Sequence, residues 1–254
     1  MSTADLPEMD KDAWKDRAKN EAQFWRHWVR SSGGKWPEDF ENRTNPNAPL
    51  INEITTFLDD LGTDRNAPVE ILDIGSGPLS ILGYVSPERE ARLTLIDPLA
   101  DVYNQILDNA GVEGVPRPRT GFFETAPGAL GENKFDIVWC RNSLDHSIDP
   151  LLGLHNLIAM CKVGGGIILR FHPNEAEGGG YEGLHQWNLD KRDDRMVLSQ
   201  KGLMLDLTPL IEAQKILSFT QIIGADGQKG MVTVKLQKLR DPNLSQAVMR
   251  ARAL

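Results

Sequence analysis

Five apolar residues near the start of the chain recur at steps of three or four residues. They are Trp14, Ala18, Ala22, Trp25 and Val29. This spacing places them on one face of a helix predicted over residues 8–30, which Gly33 and Gly34 end. A loop is predicted over Trp36 to Pro49, and a second helix follows it over Leu50 to Leu61. The aromatic face either packs on the rest of the protein or forms a lid over a ligand site.

From Val69 onward, short apolar runs alternate with helical periods, a pattern typical of a parallel sheet with covering helices. Strands are predicted over Val69–Ile74, Arg92–Asp97, Phe135–Cys140 and Gly166–Phe171, with a short one near Arg117–Gly121. Helices are predicted near Leu79–Tyr84, Leu99–Ala110 and Pro150–Cys161, the last with Asp149 as its N-cap. Two final β-rich runs, Lys215–Ile223 and Met231–Lys238, indicate a hairpin that turns at Gly224–Gly230.

These elements predict an α/β fold with a Rossmann-like, seven-stranded, mostly parallel sheet and a terminal antiparallel hairpin. The change of pattern divides the chain into three parts. Residues 1–62 form an N-terminal helical lid or cap, residues 63–240 form the α/β domain, and residues 241–254 form a C-terminal tail.

Composition narrows the classes of function. The 254 residues carry 28 Lys and Arg against 36 Asp and Glu, a net charge of −8, without a basic run, which argues against nucleic acid as a partner. No apolar stretch approaches the roughly 18 residues of a membrane span, and the acidic start does not resemble a signal peptide. We therefore expect a soluble cytoplasmic protein that binds neither membranes nor nucleic acid.

Cys140 and Cys161 lie in apolar runs and are expected to be core thiols. An exposed tryptophan face would favour a homodimer.

The segment after the first predicted strand has the composition of a ligand-binding turn. Gly75 and Gly77 allow the backbone to turn sharply and to approach a ligand, and Pro78 is suited to open a helix behind them. Asp97 ends the next strand, 22 residues after Gly75 (97 minus 75), where an acid can accept hydrogen bonds from a ribose diol. Asp73 would repel a pyrophosphate but could bind a cationic amino-acid group. A cofactor that contains a nucleoside is therefore predicted.

Leu72–Gly77, with the sequence LDIGSG, resembles the first motif of the class I S-adenosylmethionine-dependent methyltransferases. The resemblance continues in order through Val69–Phe171. It implies that S-adenosyl-L-methionine is the cofactor. By the same resemblance, the cofactor-binding residues are Asp73, Gly75, Gly77, Asp97, Phe123, Glu124 and Asn142. Among them, Asp97 would bind the ribose, the Phe123–Glu124 pair would lie at the adenine, and Asn142 would lie in the loop below the transferred methyl group.

Two polar loops, Arg141–Asp149 and His172–Asn188, follow the fourth and fifth strands, and ligands of such sheets bind at the carboxyl ends of the strands. Histidine can remove a hydroxyl proton near neutral pH, so His146 and His185 are the predicted catalytic residues. The predicted substrate-binding residues are Asp145, His172, Tyr181 and Trp187. The spacing of the loop residues is not that of a helical metal site, so no metal is predicted.

Residues 183–188, GLHQWN, together with the aromatic first helix, resemble uncharacterised bacterial methyltransferases of cell-surface glycan and related pathways. The resemblance implies methyl transfer to an oxygen of a small polar, sugar-like molecule, with nitrogen as the second choice. Two other classes stay open. A nucleotide-linked dehydrogenase would need a proton relay such as Tyr-x-x-x-Lys, which none of the three tyrosines supplies. A non-catalytic protein could keep the cofactor site for binding alone.

Overall fold

The structure of the protein, a computed structural model, describes residues 11–223, 229–242 and 251–253. Three sequence predictions reach beyond these ranges. Residues 8–10 of the first predicted helix, residues 224–228 of the hairpin turn and most of the predicted tail at 241–254 lie outside the described residues.

A seven-stranded sheet forms the centre of the protein, in the order β3-β2-β1-β4-β5-β10-β9. Its strands are β1 (Val69–Ile74), β2 (Ala91–Asp97), β3 (Arg119–Thr120), β4 (Phe135–Arg141), β5 (Cys161–Phe171), β9 (Lys215–Ile223) and β10 (Lys229–Gln237). The first five pair in parallel, and β10 pairs antiparallel with both β5 and β9. The predicted fold class is confirmed, including the final hairpin.

The described residues contain eight α-helices, and those that pack on the central sheet cover its two apolar faces. They are α1 (Lys11–Arg30), α2 (Pro37–Thr44), α3 (Asn52–Asp60), α4 (Ala100–Asn109), α5 (Ala126–Leu130), α6 (Pro150–Met160), α7 (Glu175–Gly178) and α8 (Thr208–Glu212). On one face Leu154 and Leu157 of α6 belong to the same buried cluster as Val138, and on the other Phe57 of α3 packs with Ile137. The predicted N-cap of α6 is confirmed, because Asp149 accepts a hydrogen bond from the Leu152 N–H.

Two sequence predictions about local structure are wrong. Part of the loop predicted over Trp36–Pro49 is helix α2, which begins at Pro37, where a proline fits the first helical turn. The helix predicted over Leu79–Tyr84 is absent, and the segment forms bends and turns. Gly83 there has a φ of +77°, and a Cβ on it would overlap the Pro49 carbonyl oxygen. This close approach to the chain before α3 replaces the expected helix.

A second, antiparallel sheet was not predicted. It contains β6 (Asn188–Arg192), β7 (Arg195–Gln200), β8 (Leu203–Asp206) and the short β11 (Ala251–Ala253). It follows the polar loop after β5, and the apolar residues Leu189, Met196, Leu198 and Leu205 join it to the main core.

Two composition-based expectations can be compared with the structure. Cys140 and Cys161 are both buried and unpaired, which confirms the prediction of core thiols. Among the helices of the described ranges, none is both long and apolar enough to span a lipid bilayer.

Candidate functional site

A cavity of about 580 Å³ opens where the carboxyl ends of β1, β2 and β4 meet. This volume is in the range of roughly 300–1,000 Å³ that small-molecule sites occupy. The turn after β1 forms its floor, the loops after β2 and β4 form its sides, and the helices α1 and α2 cover it. The parallel pairing of β1 with β2 and β4 brings these loops together at one edge of the sheet.

The turn after β1 depends on glycine. Gly75 and Gly77 have φ angles of +69° and +65°, in the region that favours glycine. A Cβ on Gly75 would overlap the side chain of Ser143, and a Cβ on Gly77 would lie 3.1 Å from the Trp25 ring. The floor of the cavity is therefore backbone rather than side chain.

Asp97 joins this turn to the end of β2. One of its carboxylate oxygens accepts a hydrogen bond from the Gly77 N–H at 3.0 Å, and the other accepts one from the Leu99 N–H at 2.8 Å. Burial raises the pKa of Asp97 to about 7, although these hydrogen bonds oppose the shift. A carboxylate has about four acceptor positions, so two remain for a ligand in the cavity.

Asp73 lies at the end of β1 and is almost fully buried. The Ser80 hydroxyl donates to it at 2.6 Å, which explains part of the irregular path after the glycine turn. Burial raises the pKa of Asp73 to about 6, and the hydrogen bond and the charges of Arg43 and Arg141 limit the rise. Asp73 and Asp97 thus place two acidic groups on the wall of one cavity.

Two arginines in the cavity wall were not predicted. Arg43 of α2 donates to the Leu79 carbonyl at 3.1 Å, and its guanidinium lies over the rings of Trp25 and Trp28. The side chain of Arg141, the last residue of β4, makes no hydrogen bond or ion pair with any described residue, and its buried Nε is unpartnered among them. Burial lowers its pKa, as do the charges of neighbouring arginines. Its position directly after a strand was the one sequence signal available.

The other three predicted cofactor residues also line the cavity. Phe123 is buried in the wall beneath the loop after β3. Glu124 accepts hydrogen bonds from two consecutive backbone N–H groups, those of Ile148 and Asp149, and so fixes the loop before α6. Asn142 has a φ of +47°, and its side-chain oxygen accepts a hydrogen bond from the backbone of the loop after β5.

His146, His185 and Asp145 form a compact cluster at the cavity. His185 Nδ1 lies 2.9 Å from Asp145 Oδ2 and 3.1 Å from His146 Nε2. Burial would raise the pKa of Asp145, but the two histidines outweigh it and lower this pKa. The hydrogen bond to Asp145 raises the pKa of His185. Glu175 adds a carboxylate 3.9 Å from His185 Nδ1, and burial raises its pKa.

Both histidines and Glu175 line the cavity, and Asp145 lies behind them. The other predicted substrate-binding residues are elsewhere. Trp187 is 2% exposed and belongs to the hydrophobic core, where the second sheet buries it. Tyr181 packs beneath Lys201 and accepts a hydrogen bond from Asn188, and neither it nor His172 lines the cavity. These three residues therefore do not line this cavity, and their assignment to substrate binding stays a prediction.

Helix α1 closes the cavity with one face. Trp14 donates from Nε1 to the His146 carbonyl at 2.7 Å, and Trp25 donates to Glu21 at 2.7 Å. These residues, with Phe24 and Trp28, line the cavity. The aromatic spacing indicated this face, whereas the role of Glu21 could not be seen in the sequence.

The chain is similar to several solved structures. A CurJ carbon methyltransferase is similar at 14% identity with a TM-score of 0.50, over 74% of this chain and 52% of that chain. The chain thus spans about half the length of that protein. A 1,6-didemethyltoxoflavin-N1-methyltransferase from Burkholderia thailandensis is 13% identical over 93% of each chain, with a TM-score of 0.49. An S-adenosylmethionine-dependent methyltransferase from Clostridium acetobutylicum is 11% identical over 87% of this chain and 98% of that chain, with a TM-score of 0.47.

No protein-family model matches the chain, and no curated protein matches it in sequence. At these identities the structural similarity to the CurJ enzyme defines the fold, which is the Rossmann-like fold of class I methyltransferases. The resemblance seen in residues 72–77 is confirmed at that level.

Proposed function

We propose that the protein is an S-adenosylmethionine-dependent methyltransferase. The observation that carries the proposal is the pair Asp73 and Asp97 around the Gly75–Gly77 turn, in one cavity at the carboxyl edge of a methyltransferase-type sheet. A dinucleotide cofactor would bring a pyrophosphate to this turn, where Asp73 would repel it.

The residues in the cavity fit this cofactor. Asp97 retains acceptor positions for the two ribose hydroxyl groups, and Phe123 and Glu124 lie on the side assigned to the adenine. Asp73 is placed to attract the amino-acid ammonium group. Arg141 offers an unpaired guanidinium to the amino-acid carboxylate, a pairing that would satisfy its buried Nε. When bound, S-adenosylmethionine supplies a methyl group on a positively charged sulfur.

The acceptor would enter from the side of His146 and His185. A hydroxyl acceptor must be aligned and must lose its proton during transfer. We assign the handling of that proton to the two histidines, which Asp145 holds in place through its hydrogen bond to His185. The polar groups here favour an oxygen of a small polar, sugar-like molecule, with nitrogen as the second choice.

The N-terminal segment, residues 1–62, is proposed as a lid. Helix α1 places Trp14 and Trp25 over the cavity, and such a cover would keep water from the reacting groups. The acidic net charge of −8 supports a small-molecule acceptor rather than a nucleic acid. The cytoplasmic location and the homodimer stay predictions.

The proposal can be tested by calorimetric titration with S-adenosylhomocysteine, the product form of the cofactor. We expect Asp97→Asn to weaken binding by at least about 10-fold, or about 1.4 kcal/mol, because a carboxylate that accepts from a diol is lost. Asp101→Asn is the matched control, since Asp101 is exposed and its side chain bonds, among the described residues, to Thr120 alone. Equal affinity of the Asp97 variant and the wild-type protein would contradict the proposal.

Transfer itself needs a separate measurement, because a non-catalytic binding protein would also take up the cofactor. Incubation with methyl-labelled S-adenosylmethionine and a set of polyols, hydroxy acids and amines should label a hydroxyl compound. Loss of that labelling in a His146→Ala variant that still binds S-adenosylhomocysteine would support the assigned acceptor side. Labelling of amines alone would contradict the choice of oxygen.

A further inference from the structure

The histidine cluster directs two neighbouring polar atoms at a single ring nitrogen. His185 Nδ1 lies within hydrogen-bond distance of both Asp145 Oδ2 and His146 Nε2. A ring nitrogen has one position in the plane of the ring, which carries either a proton or a lone pair. A proton there must be shared between Asp145 Oδ2 and the lone pair of His146 Nε2 in one three-centre hydrogen bond. In addition, Asp145 Oδ1 is buried and has no hydrogen-bond partner within the described part of the chain.

The three atoms that meet have the separations of ligands around one metal ion. His146 Nε2, His185 Nδ1 and Asp145 Oδ2 are 2.9, 3.1 and 3.6 Å apart. Nitrogen and oxygen ligands lie about 2.0–2.2 Å from Zn²⁺, so two ligands of a tetrahedral ion are about 3.3 Å from each other. An ion slightly above the plane of the three atoms would contact all of them.

We propose that Asp145, His146 and His185 form a binding site for a divalent transition-metal ion such as Zn²⁺. Each residue offers one ligand atom to the common point. The ion would replace the contested proton on His185 and would neutralise the buried carboxylate. Two imidazoles with one carboxylate favour Zn²⁺ or a neighbouring first-row ion over Mg²⁺ or Ca²⁺, which prefer oxygen ligands alone.

The site is built by the fold and is open on one side. Asp145 and His146 lie in the 3₁₀ turn Leu144–His146 after β4, and Trp14 fixes this turn by donating to the His146 carbonyl. His185 comes from the loop before β6. Because both histidines line the cavity, the fourth ligand position faces it, and Glu175 lies close enough to occupy that position by a side-chain movement. An open position is typical of catalytic rather than structural metal sites.

The proposed metal site also restricts the chemical class of the methyl acceptor. This consequence rests on the proposed function. With the ion bound, the two ring nitrogens act on the acceptor through it and no longer take its proton themselves. The ion would bind the acceptor's hydroxyl oxygen and lower its pKa, and the hydroxyl proton would pass to the carboxylate of Glu175, which lines the same cavity. The acceptor would then be a compound with a metal-binding oxygen pair, such as a vicinal diol or a 2-hydroxy acid.

Metal binding can be measured without any methyl transfer. The full chain is treated with a chelator, dialysed, and titrated with Co²⁺, whose visible absorption reports its coordination, and then with Zn²⁺ in competition. We expect one ion per chain, displaced by Zn²⁺. His146→Ala and His185→Ala should each weaken binding by at least about 100-fold, more than the ~10-fold seen when only an outer partner is lost. Asp145→Asn is a second variant that preserves side-chain size.

The matched control is His27→Ala, which removes an exposed histidine of α1 and should bind the ion as the wild-type protein does. Two results would overturn the metal site. One is a loss of metal affinity in His27→Ala as large as that in the His146 and His185 variants. The other is equal metal affinity in the wild-type protein and in the His146 and His185 variants. Thermal unfolding of each metal-free variant identifies any that has lost its fold. S-adenosylhomocysteine binding by the chelated wild-type protein separates the two proposals. If S-adenosylhomocysteine binds and Co²⁺ does not, the metal site alone is wrong. If Co²⁺ binds and S-adenosylhomocysteine does not, the proposed function alone is contradicted.

Discussion

At the scale of single residues, the Gly75–Gly77 turn brings the backbone against a neighbouring side chain. Gly75 has no room for a Cβ because the Ser143 side chain lies against its backbone. Gly111 has nearly the same φ, +67° against +69°, but a Cβ there would meet no atom within 4 Å. A comparison of substitutions at these two glycines therefore separates the effect of backbone strain from that of steric overlap.

We expect Gly111→Ala to lower the free energy of unfolding by about 1–2 kcal/mol, since it adds only left-handed strain. Gly75→Ala adds overlap with Ser143, so its loss should be larger by about 1–3 kcal/mol, and S-adenosylhomocysteine binding should fall with it. Denaturant unfolding and calorimetry measure both quantities. Equal destabilisation by the two substitutions would show that the contact with Ser143 has no effect.

The two buried acids predict a dependence of affinity on pH. Burial raises the pKa of Asp73 to about 6 and that of Asp97 to about 7, from an ordinary value of 3.8. Their contribution to stability is therefore complete below pH 3.8 and is lost as the pH rises through 6 and 7. Ionisation over the same interval strengthens attraction for a cationic ligand.

Affinity for S-adenosylmethionine should therefore rise from about pH 5.5 to about pH 8, while the ligand-free protein becomes less stable. Calorimetry and thermal unfolding across this interval measure the two effects. In Asp97→Asn the upper part of the rise should disappear. An affinity that is flat or falls with pH would contradict the charged state assigned to both acids.

Some site residues could be predicted because their spacing along the chain reports their chemistry. Gly75, Gly77 and Asp97 follow strand ends at fixed distances, and parallel pairing then brings them together. Arg43 and Glu21 carry no such signal, since they reach the cavity through the packing of α1 and α2. The cluster of Asp145, His146 and His185 joins two neighbouring residues to a third that lies 39 positions after His146, a separation that only the folded chain brings together.

At the scale of elements, helix α1 forms one wall of the cavity. Trp25 covers the Gly77 backbone, and its ring lies 5.3 Å from that of Trp28, which is buried against α4. The helix thus contributes to the core and to the site with adjacent parts of one face.

We expect Trp25→Ala to weaken S-adenosylhomocysteine binding by about 10-fold, or about 1.4 kcal/mol, because the substitution removes an apolar ring that covers the ligand. Gln23→Ala, an exposed position on the same helix, should leave the affinity unchanged. Calorimetry measures both variants. Unchanged affinity in Trp25→Ala would show that α1 is only a packing helix.

The elements that were predicted well are those whose pattern is local. Strand β1 matches its prediction at both ends, because its apolar run is buried on both faces. The absent helix at Leu79–Tyr84 fails for a tertiary reason, the contact of Gly83 with Pro49. The second sheet was missed because strands such as β6, with the charged Lys191 and Arg192, have no clear apolar alternation and depend on pairing with distant partners.

At the scale of the whole molecule, three features surround one cavity: the segment from Asp73 to Gly77, helix α1, and the cluster of His146 and His185. The strand order β3-β2-β1-β4-β5-β10-β9 places the loops after β1, β2 and β4 at the same edge of the sheet. The fold is compatible with several nucleoside cofactors, so the choice among them depends on charge. Asp73 favours a cationic ligand and disfavours a diphosphate.

Thermal unfolding with S-adenosylhomocysteine and with NAD⁺, each added at the same concentration to the ligand-free chain, tests this choice most directly. A ligand at about 100 times its dissociation constant stabilises the folded state by about 2.7 kcal/mol. We predict that S-adenosylhomocysteine raises the unfolding midpoint by several degrees and that NAD⁺ leaves it unchanged. A rise with NAD⁺ and none with S-adenosylhomocysteine would contradict the assignment of the cavity to a methyl-donor cofactor.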